Sequence, residues 1–351
     1  MQRLDRYVSS YFISSYGICI LFFLGMFVLI DLFGKSEEIL ENAGELKGMG
    51  FSVGDLMLQY YGLMVPFIFL QVAPFVTVMA AMFALTRLRR NNELVPMIVA
   101  GRSVFRVLAP VFVFAFLLAV MMGLVQQYIA PGLADSRERV KTLLFDAKTE
   151  RNIDGRYRCG ENRYVFVRDY DANTRTISSF DISVLDSEEP PVLGDQAVWS
   201  PERERFVYSV TTDDGEGGKQ TVERELPEAL TPQLVESQTR GPHDLSYSQA
   251  EFLFGRTGEG KWKVLLHYHL TFPLSNVLLL LLGLPFVLNQ QARSVLLGMV
   301  VSILICASYF AFDAVMRNLG DKDVLHPVLA AWFGVIFFGS LGVVLIDGVK
   351  S

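Results

Sequence analysis

Residues 104–141 read VFRVLAPVFVFAFLLAVMMGLVQQYIAPGLADSRERVK, and this stretch sets the architecture. From Val104 to Ile129 the only charged residue is Arg106. The run exceeds the roughly 20 apolar residues that cross the hydrocarbon core of a bilayer. Past Pro131 the character reverses, and Asp135, Arg137, Glu138, Arg139 and Lys141 keep the next helical turns in water. One segment therefore leaves a membrane and enters a polar region.

Working outward, two further apolar runs precede it, Tyr11–Phe33 and Gly62–Leu85. Three follow the polar centre: Val264–Leu288, Val295–Val315 and Pro327–Ile346. The fold expected is an α-helical membrane protein of six transmembrane helices in a 3 + 3 arrangement. Among 351 residues, 51% are hydrophobic and 19% charged, and most of the charge falls in about 131–263. That distribution excludes a single soluble domain and a disordered chain. A net charge of −6, from 31 basic and 37 acidic residues, speaks against a nucleic-acid partner. The three cysteines, Cys19, Cys159 and Cys306, form no disulfide framework. Arg3 and Arg6 precede the first run as in a signal peptide, but the run is too long and Lys35-Ser-Glu-Glu follows it without a cleavage site, so it reads as a retained helix.

Positive residues in short loops mark the cytoplasmic side. Arg3, Arg6, Arg87, Arg89, Arg90, Arg102, Arg293 and Lys350 all fall on one side of six spans, and Glu37, Glu38, Glu41, Glu45, Asp55 and the acidic centre fall on the other. Both termini are thus expected in the cytoplasm and the centre in the periplasm of a bacterial inner-membrane protein. Three units follow: 1–130 with the first three spans, 131–263 as the periplasmic insert with helical linkers, and 264–351 with the last three spans. Within the insert, the runs 163–168, 176–185, 196–199, 205–210 and 220–224 are short, β-branched or aromatic, and separated by Asp, Asn, Gly and Pro. They predict an inserted antiparallel β-domain of sandwich, barrel or jelly-roll type. Such a domain can cap the helices, hold an acyl chain between sheets, or pair an edge strand with another chain.

Catalytic motifs are few. Gly255-Arg-Thr-Gly-Glu-Gly-Lys261 has phosphate-loop spacing, yet Trp262 stands where Ser or Thr would hold magnesium and no strand leads in. His267 and His269 are two apart and diverge on a helix, so they do not share a metal. No catalytic residue, metal site or cofactor is expected. Ionisable groups near membrane depth carry more information. Asp31 with Lys35, and Asp313 with Arg317, are four apart at the outer ends of the first and fifth spans. Each is either a local ion pair or part of a ring of cations, Lys35 and Arg317, that meets an anionic head group. Pro66, Gln71 and Pro74 suggest a kinked second span with a polar inner face.

The loop Arg87-Leu-Arg-Arg-Asn-Asn-Glu-Leu-Val-Pro-Met-Ile-Val-Ala-Gly101 predicts a short amphipathic helix over about 91–101. Asn91 or Asn92 caps it, Glu93 lies in its first turn, Leu94, Met97 and Ile98 form its stripe, and Gly101 ends it. It either lies on the membrane surface or docks into a partner's groove.

This loop resembles that of the lipopolysaccharide-export permeases LptF/LptG (the YjgP/YjgQ family), whose pattern Arg-x-x-Glu-Leu-x-x-Met-x-x-x-Gly is filled by Glu93, Leu94, Met97 and Gly101. Leu4-Asp5-Arg6-Tyr7, Pro131, Pro273-Leu-Ser275, Leu282-Gly-Leu-Pro285 and Pro327-Val-Leu-Ala-Ala-Trp332 extend the likeness over nearly the whole chain. The opening motif and the region of Asp31 and Lys35 lean toward the LptG branch. The resemblance implies a permease of an ABC-type transporter, paired with a sister permease above a separate cytoplasmic ATPase dimer. It makes Asn92, Glu93, Leu94, Met97 and Gly101 the ATPase-coupling residues and Lys35 a ligand of lipid phosphates. It also implies a membrane cavity for lipopolysaccharide and a jelly-roll domain that hands the acyl chains to bridge proteins of the LptC/LptA type. Gly34 stands where LptG chains often carry another lysine, and Pro96 interrupts the coupling helix. The competing readings are another ABC-type lipid or lipoprotein extractor, a secondary transporter, or a structural anchor for a β-domain.

Overall fold

In the computed structural model, the residues described are 3–99, 104–146, 152–159, 163–172, 174–184, 192–213, 219–228, 230–237, 240–289 and 295–347. Among these described residues, six helices are long and apolar enough to cross a membrane. They are carried by α1 (Arg3–Gly34), α3 (Val53–Arg90), α5 (Val104–Leu124) with its continuation, α9 (Gly260–Asn289), α10 (Val295–Asp321) and α11 (Pro327–Asp347). Several overshoot the apolar runs. At 1.5 Å per residue, the 38 residues of α3 span about 57 Å, so both ends stand clear of a core about 30 Å thick.

Only 6% of the first span's apolar window is buried within the chain, against 72% of the second, so α1 lies at the periphery and α3 at the centre. Small residues allow close approach between helices. A Cβ on Gly283 of α9 would lie 2.9 Å from Val78 Cγ1 of α3, which gives Leu282-Gly-Leu-Pro285 a packing reason. Buried Asn276 of α9 donates its Nδ2 to the Ala115 carbonyl of α5 at 2.8 Å, a polar fastening in an apolar bundle. Both prolines of α3 sit inside an uninterrupted helix. Pro74 is buried and Gln71 is exposed, so the Gln71 amide stands on the outer surface of this single chain. A helix apolar all round does not announce which face is inside.

Alternation of the spans gives the bundle a basic end and an acidic end. At the acidic end lies α2 (Ser36–Gly48), which the sequence reading missed. It opens with Glu37 and Glu38, closes with Lys47 and buries only Ile39 and Leu46. Those charges suit the helix dipole. With Leu56, Tyr60, Val140 and Leu144, these two residues form a small core outside the main bundle. The third span passes through one π-helical turn (Val125–Ile129) into α6 (Ala130–Asp146).

The inserted region is a seven-stranded antiparallel sheet, with strands β1 (Asn152–Arg158), β2 (Arg163–Asp171), β3 (Thr176–Val184), β4 (Val192–Gly194), β5 (Ala197–Ser200), β6 (Arg205–Asp213) and β7 (Lys219–Glu225). Their order is β1-β2-β3-β5-β6-β7, with β4 also paired to β3. All seven therefore belong to one hydrogen-bonded sheet. Strands β1 and β4 were not foreseen: β1 contains Gly155 and a break in register, and β4 is three residues long. On β2, Val165 and Val167 are buried while Phe166 and Arg168 are exposed, the period of a half-buried strand.

The buried face of the sheet shares one core with the helices. Val165, Phe180 and Phe206 belong to the same cluster as Leu234 of α7 (Pro232–Ser237), Leu253 of α8 (Tyr247–Thr257), and Trp262 and Phe272 of α9. Phe67 of α3 completes it. The sheet is fused to the acidic end of the bundle, and a displacement of one is felt by the other, because packed interiors have few voids. The phosphate-loop look-alike is a helix–turn–helix: α8 ends at Gly258, whose φ of +65° suits glycine, and α9 begins at Gly260.

Candidate functional site

At the basic end, residues 91–93 join α3 to α4 (Leu94–Val99). The expected cap is corrected. Asn91 closes α3, its N–H bonded to the Arg87 carbonyl at 3.0 Å, and Asn92 turns the chain with φ +57°. Asn and Asp tolerate that region better than other non-glycine residues. Asn92 is therefore the pivot before α4 rather than part of it. Glu93 donates its N–H to the Leu88 carbonyl at 3.0 Å, which folds the loop back on α3. Pro96 lies in the first turn of α4, where no intrahelical N–H is needed. Leu94 opens the helix, and half-buried Met97 packs against the bundle core. Pro96 and Val99 are exposed, Val99 at 80%. Gly101 lies outside the described residues.

The side chain of Glu93 reaches the start of α1. The Tyr7 hydroxyl sits 3.0 and 2.9 Å from its two carboxylate oxygens and donates to them. Asn91 Nδ2 approaches Glu93 Oε1 at 3.4 Å. The Tyr7 and Tyr11 rings meet edge to face at 4.8 Å, and Arg87 lies 4.7 Å over the Tyr11 ring. Arg106 at the foot of α5 sits 3.8 Å from Asp5. The first helix, the loop and α3 are thus bound together by polar contacts near α4.

At the opposite end of α1, Lys35 Nζ lies 2.9 Å from Asp31 Oδ1, donates to the Tyr60 hydroxyl at 3.1 Å, and stands 4.6 Å over the Phe145 ring. The Tyr61 hydroxyl donates to Asp31 Oδ2 at 3.2 Å. Burial alone would draw the Lys35 ammonium down, but the bonds to Asp31 and Tyr60 outweigh it and hold it above the ordinary lysine value. The group is a cation at all physiological pH. Its side chain keeps 28% exposure. One face is therefore partnered, and the remainder is open to a ligand.

Arg317 is partnered in a similar way. Its Nε lies 3.0 Å from Asp313 Oδ2, and its guanidinium stacks 4.3 Å over the Tyr268 ring of α9. Asp313 is 4% exposed and faces Gly334 of α11, where a Cβ would lie 3.8 Å from its Oδ1. The pair ties α10 to its neighbours, and Arg317 is turned toward α9. Both expected head-group cations keep partial exposure, Lys35 at 28% and Arg317 at 24%, and Arg317 lines a pocket together with Arg240, Trp262 and Tyr268.

Between bundle and sheet, Arg137 of α6 forms a two-pronged bond to Asp244, at 3.0 and 2.9 Å, and stacks 4.2 Å over Phe67 of α3. Arg240 reaches Asp135 at 2.7 Å. Buried His269 bonds the Leu245 and Leu265 carbonyls at 2.9 and 2.8 Å, a packing role. Tyr7, Tyr60, Tyr61 and Phe145 were absent from the sequence-predicted site. Tyr7 stands in Leu4-Asp5-Arg6-Tyr7, so the motif held a signal; the other three are ordinary aromatics in helical runs. Among the described residues, no group of three or more His, Cys, Asp or Glu could hold a metal ion.

The family described as the lipopolysaccharide export system permease LptF/LptG matches residues 6–347, nearly the whole chain. That family includes both branches and so does not separate an LptG-like chain from an LptF-like one. A search of curated proteins found no match.

Proposed function

We propose, on the premise that this chain belongs to the LptF/LptG family of lipopolysaccharide export permeases, that it converts nucleotide-driven motion at its basic end into lipid movement at its acidic end. As a family member the chain is a multi-pass inner-membrane component of the lipopolysaccharide export system, a transporter subunit and not an enzyme. The basic end then faces the cytoplasm, by the positive-inside rule, and the sheet faces the periplasm.

The observation that carries the reading is the connection made by α1. Its start is bonded through Tyr7 to Glu93 beside α4, and Lys35 just past its far end meets Asp31, Tyr60 and Phe145. A helix held at both ends carries a displacement from one to the other. In this reading Asn92, Glu93, Leu94, Met97 and Gly101 form the coupling element, with exposed Pro96 and Val99 seated in a separate ABC ATPase dimer. Lys35 and Arg317 meet lipid phosphates, while Asp31, Pro66, Gln71, Pro74 and Asp313 shape the wall that faces a sister permease. The acyl chains pass to the sheet and on to periplasmic bridge proteins of the LptC/LptA type.

Extraction needs such a device because each buried CH₂ holds a lipid in the bilayer by about 0.8 kcal/mol. The test is affinity purification from the native membrane with partners and lipid identified by mass spectrometry. Lipopolysaccharide and an ABC ATPase are expected; a lipoprotein cargo, or transport driven by an ion gradient without an ATPase, overturns the reading.

A further inference from the structure

A groove of about 510 Å³ opens between α1 and α3 near their basic end. Ile18 and Cys19 line it from α1, and Phe83, Arg87 and Arg90 from α3. Ser15, which also lines the groove, stands three and four residues before Ile18 and Cys19, and Phe83, Arg87 and Arg90 are four and three apart, so each helix presents one continuous face. Ile18 is 68% exposed, Cys19 is buried and Phe83 is half-buried, and together they make an apolar trough at membrane depth. Arg87 and Arg90 close it where the helices leave the membrane, and both are exposed. Among the described residues neither arginine has a carboxylate partner; Arg87 rests on the Tyr11 ring. The nearby acids are occupied, Glu93 by Tyr7 and Asp5 by Arg106.

We infer that this groove binds an anionic glycerophospholipid. Its phosphate sits between Arg87 and Arg90, and one acyl chain lies along Ile18, Cys19 and Phe83. The volume lies within the range of pockets that enclose small lipophilic molecules. Guanidinium groups suit phosphate because their planar donors pair with two oxygens at once. Basic pockets between membrane helices on the cytoplasmic side select anionic lipid head groups, whereas a zwitterionic lipid brings an ammonium that opposes the arginines. A soluble anion would leave the apolar trough unfilled. The leaflet rests on the orientation proposed above; the pairing of phosphate with arginine and chain with trough does not.

The test places a fluorophore in the trough of the full-length chain as Phe83→Trp, reconstituted in phosphatidylcholine vesicles. A minority of the lipid is dibrominated, as either phosphatidylglycerol or phosphatidylcholine. Brominated phosphatidylglycerol is expected to quench the added fluorescence with roughly tenfold tighter apparent binding, and Arg87→Gln with Arg90→Gln to abolish that preference. Equal quenching by both lipids, or a preference unchanged in the double variant, overturns the site. Mass spectrometry of the chain with Phe83 intact gives a second readout: one retained phosphatidylglycerol, lost in the double variant. Thiol labelling of Asn91→Cys with an impermeant reagent separates the two proposals. Labelling from outside the cell overturns the leaflet and the orientation while the quenching result still decides the groove.

Discussion

Tyr7 and Glu93, 86 residues apart in the chain, meet through a hydroxyl placed 3.0 and 2.9 Å from both carboxylate oxygens. The contact joins the first turns of the first span to the loop after the second. It ties the loop just before α4 to the first turns of α1.

Removing that link separates coupling from assembly. Tyr7→Phe keeps the ring on Tyr11 and loses the hydroxyl, and with it the bonds to Glu93 and to the Tyr11 hydroxyl at 2.9 Å. We expect it to retain the ATPase in pull-downs while lowering transport-coupled ATP hydrolysis several-fold. Glu93→Ala and Glu93→Lys are expected to weaken the association itself, because they alter the loop's charge as well. Normal coupled transport in both Glu93 variants would remove the residue from the coupling element.

Lys35→Ala is expected to lower lipid-stimulated ATPase activity while the complex still assembles. The bond it deletes also holds Asp31, so the thermal midpoint should fall modestly, by the equivalent of about 1 kcal/mol for a partly exposed pair. Adding Asp31→Ala restores the midpoint if the ion pair alone was lost, but leaves stimulation low if Lys35 also meets lipid. Because the folded-state value of Lys35 is raised, its stabilising contribution is complete below the ordinary lysine range and fades only above it. The Lys35-dependent part of both measurements should therefore be flat from neutral pH down.

Arg137→Ala leaves Asp244 buried without its two-pronged partner, its carboxylate keeping, among the described residues, the Gly241 N–H at 2.7 Å. Breaking a buried pair on one side costs about 3–5 kcal/mol. Thermal unfolding in detergent should show that loss, and proteolysis near residue 240 should quicken. The added change Asp244→Asn should recover part of it, since the stranded charge is then gone.

His243 gives an acid-side prediction. Burial first, then the charge of Arg317 and the proximity of His269, push its imidazole down to about 3. The ring packs on Phe272 at 4.5 Å and Tyr268 at 5.8 Å. An unfolded histidine binds a proton near pH 6.5, so between that value and 3 the unfolded chain holds more protons and stability falls as pH falls. The midpoint of the parent chain should decline on acidification from about 6.5. His243→Phe should reduce that slope; an unchanged slope would show that other groups set it.

Much of the fold was legible because the governing quantity is local. A span is a count of apolar residues, and Val104–Ile129 declares itself without reference to any other part of the chain. Strands β2, β3 and β6 showed through turn residues and β-branched runs. The helix α2 stayed hidden because its buried positions are only Ile39 and Leu46, and β4 because three residues carry no period. The direction of Gln71 was not legible because α3 is apolar on most sides, so its sequence does not say which face the neighbours cover.

The site divides along the same line. Asp31 with Lys35, and Asp313 with Arg317, were visible as pairs because one helical turn is enough to bring them together. That Lys35 also meets Tyr60 and Phe145, that Arg317 turns onto Tyr268, and that Asn91 closes α3 instead of opening α4 were settled only by packing. By itself the order of residues determined where the chain enters and leaves the bilayer and which loops carry positive charge, since hydrophobic length and charge count are properties of contiguous segments. The tertiary structure decided which side chains face one another across 25 or 86 residues, because those meetings depend on how helices rotate and cross to bury their surfaces.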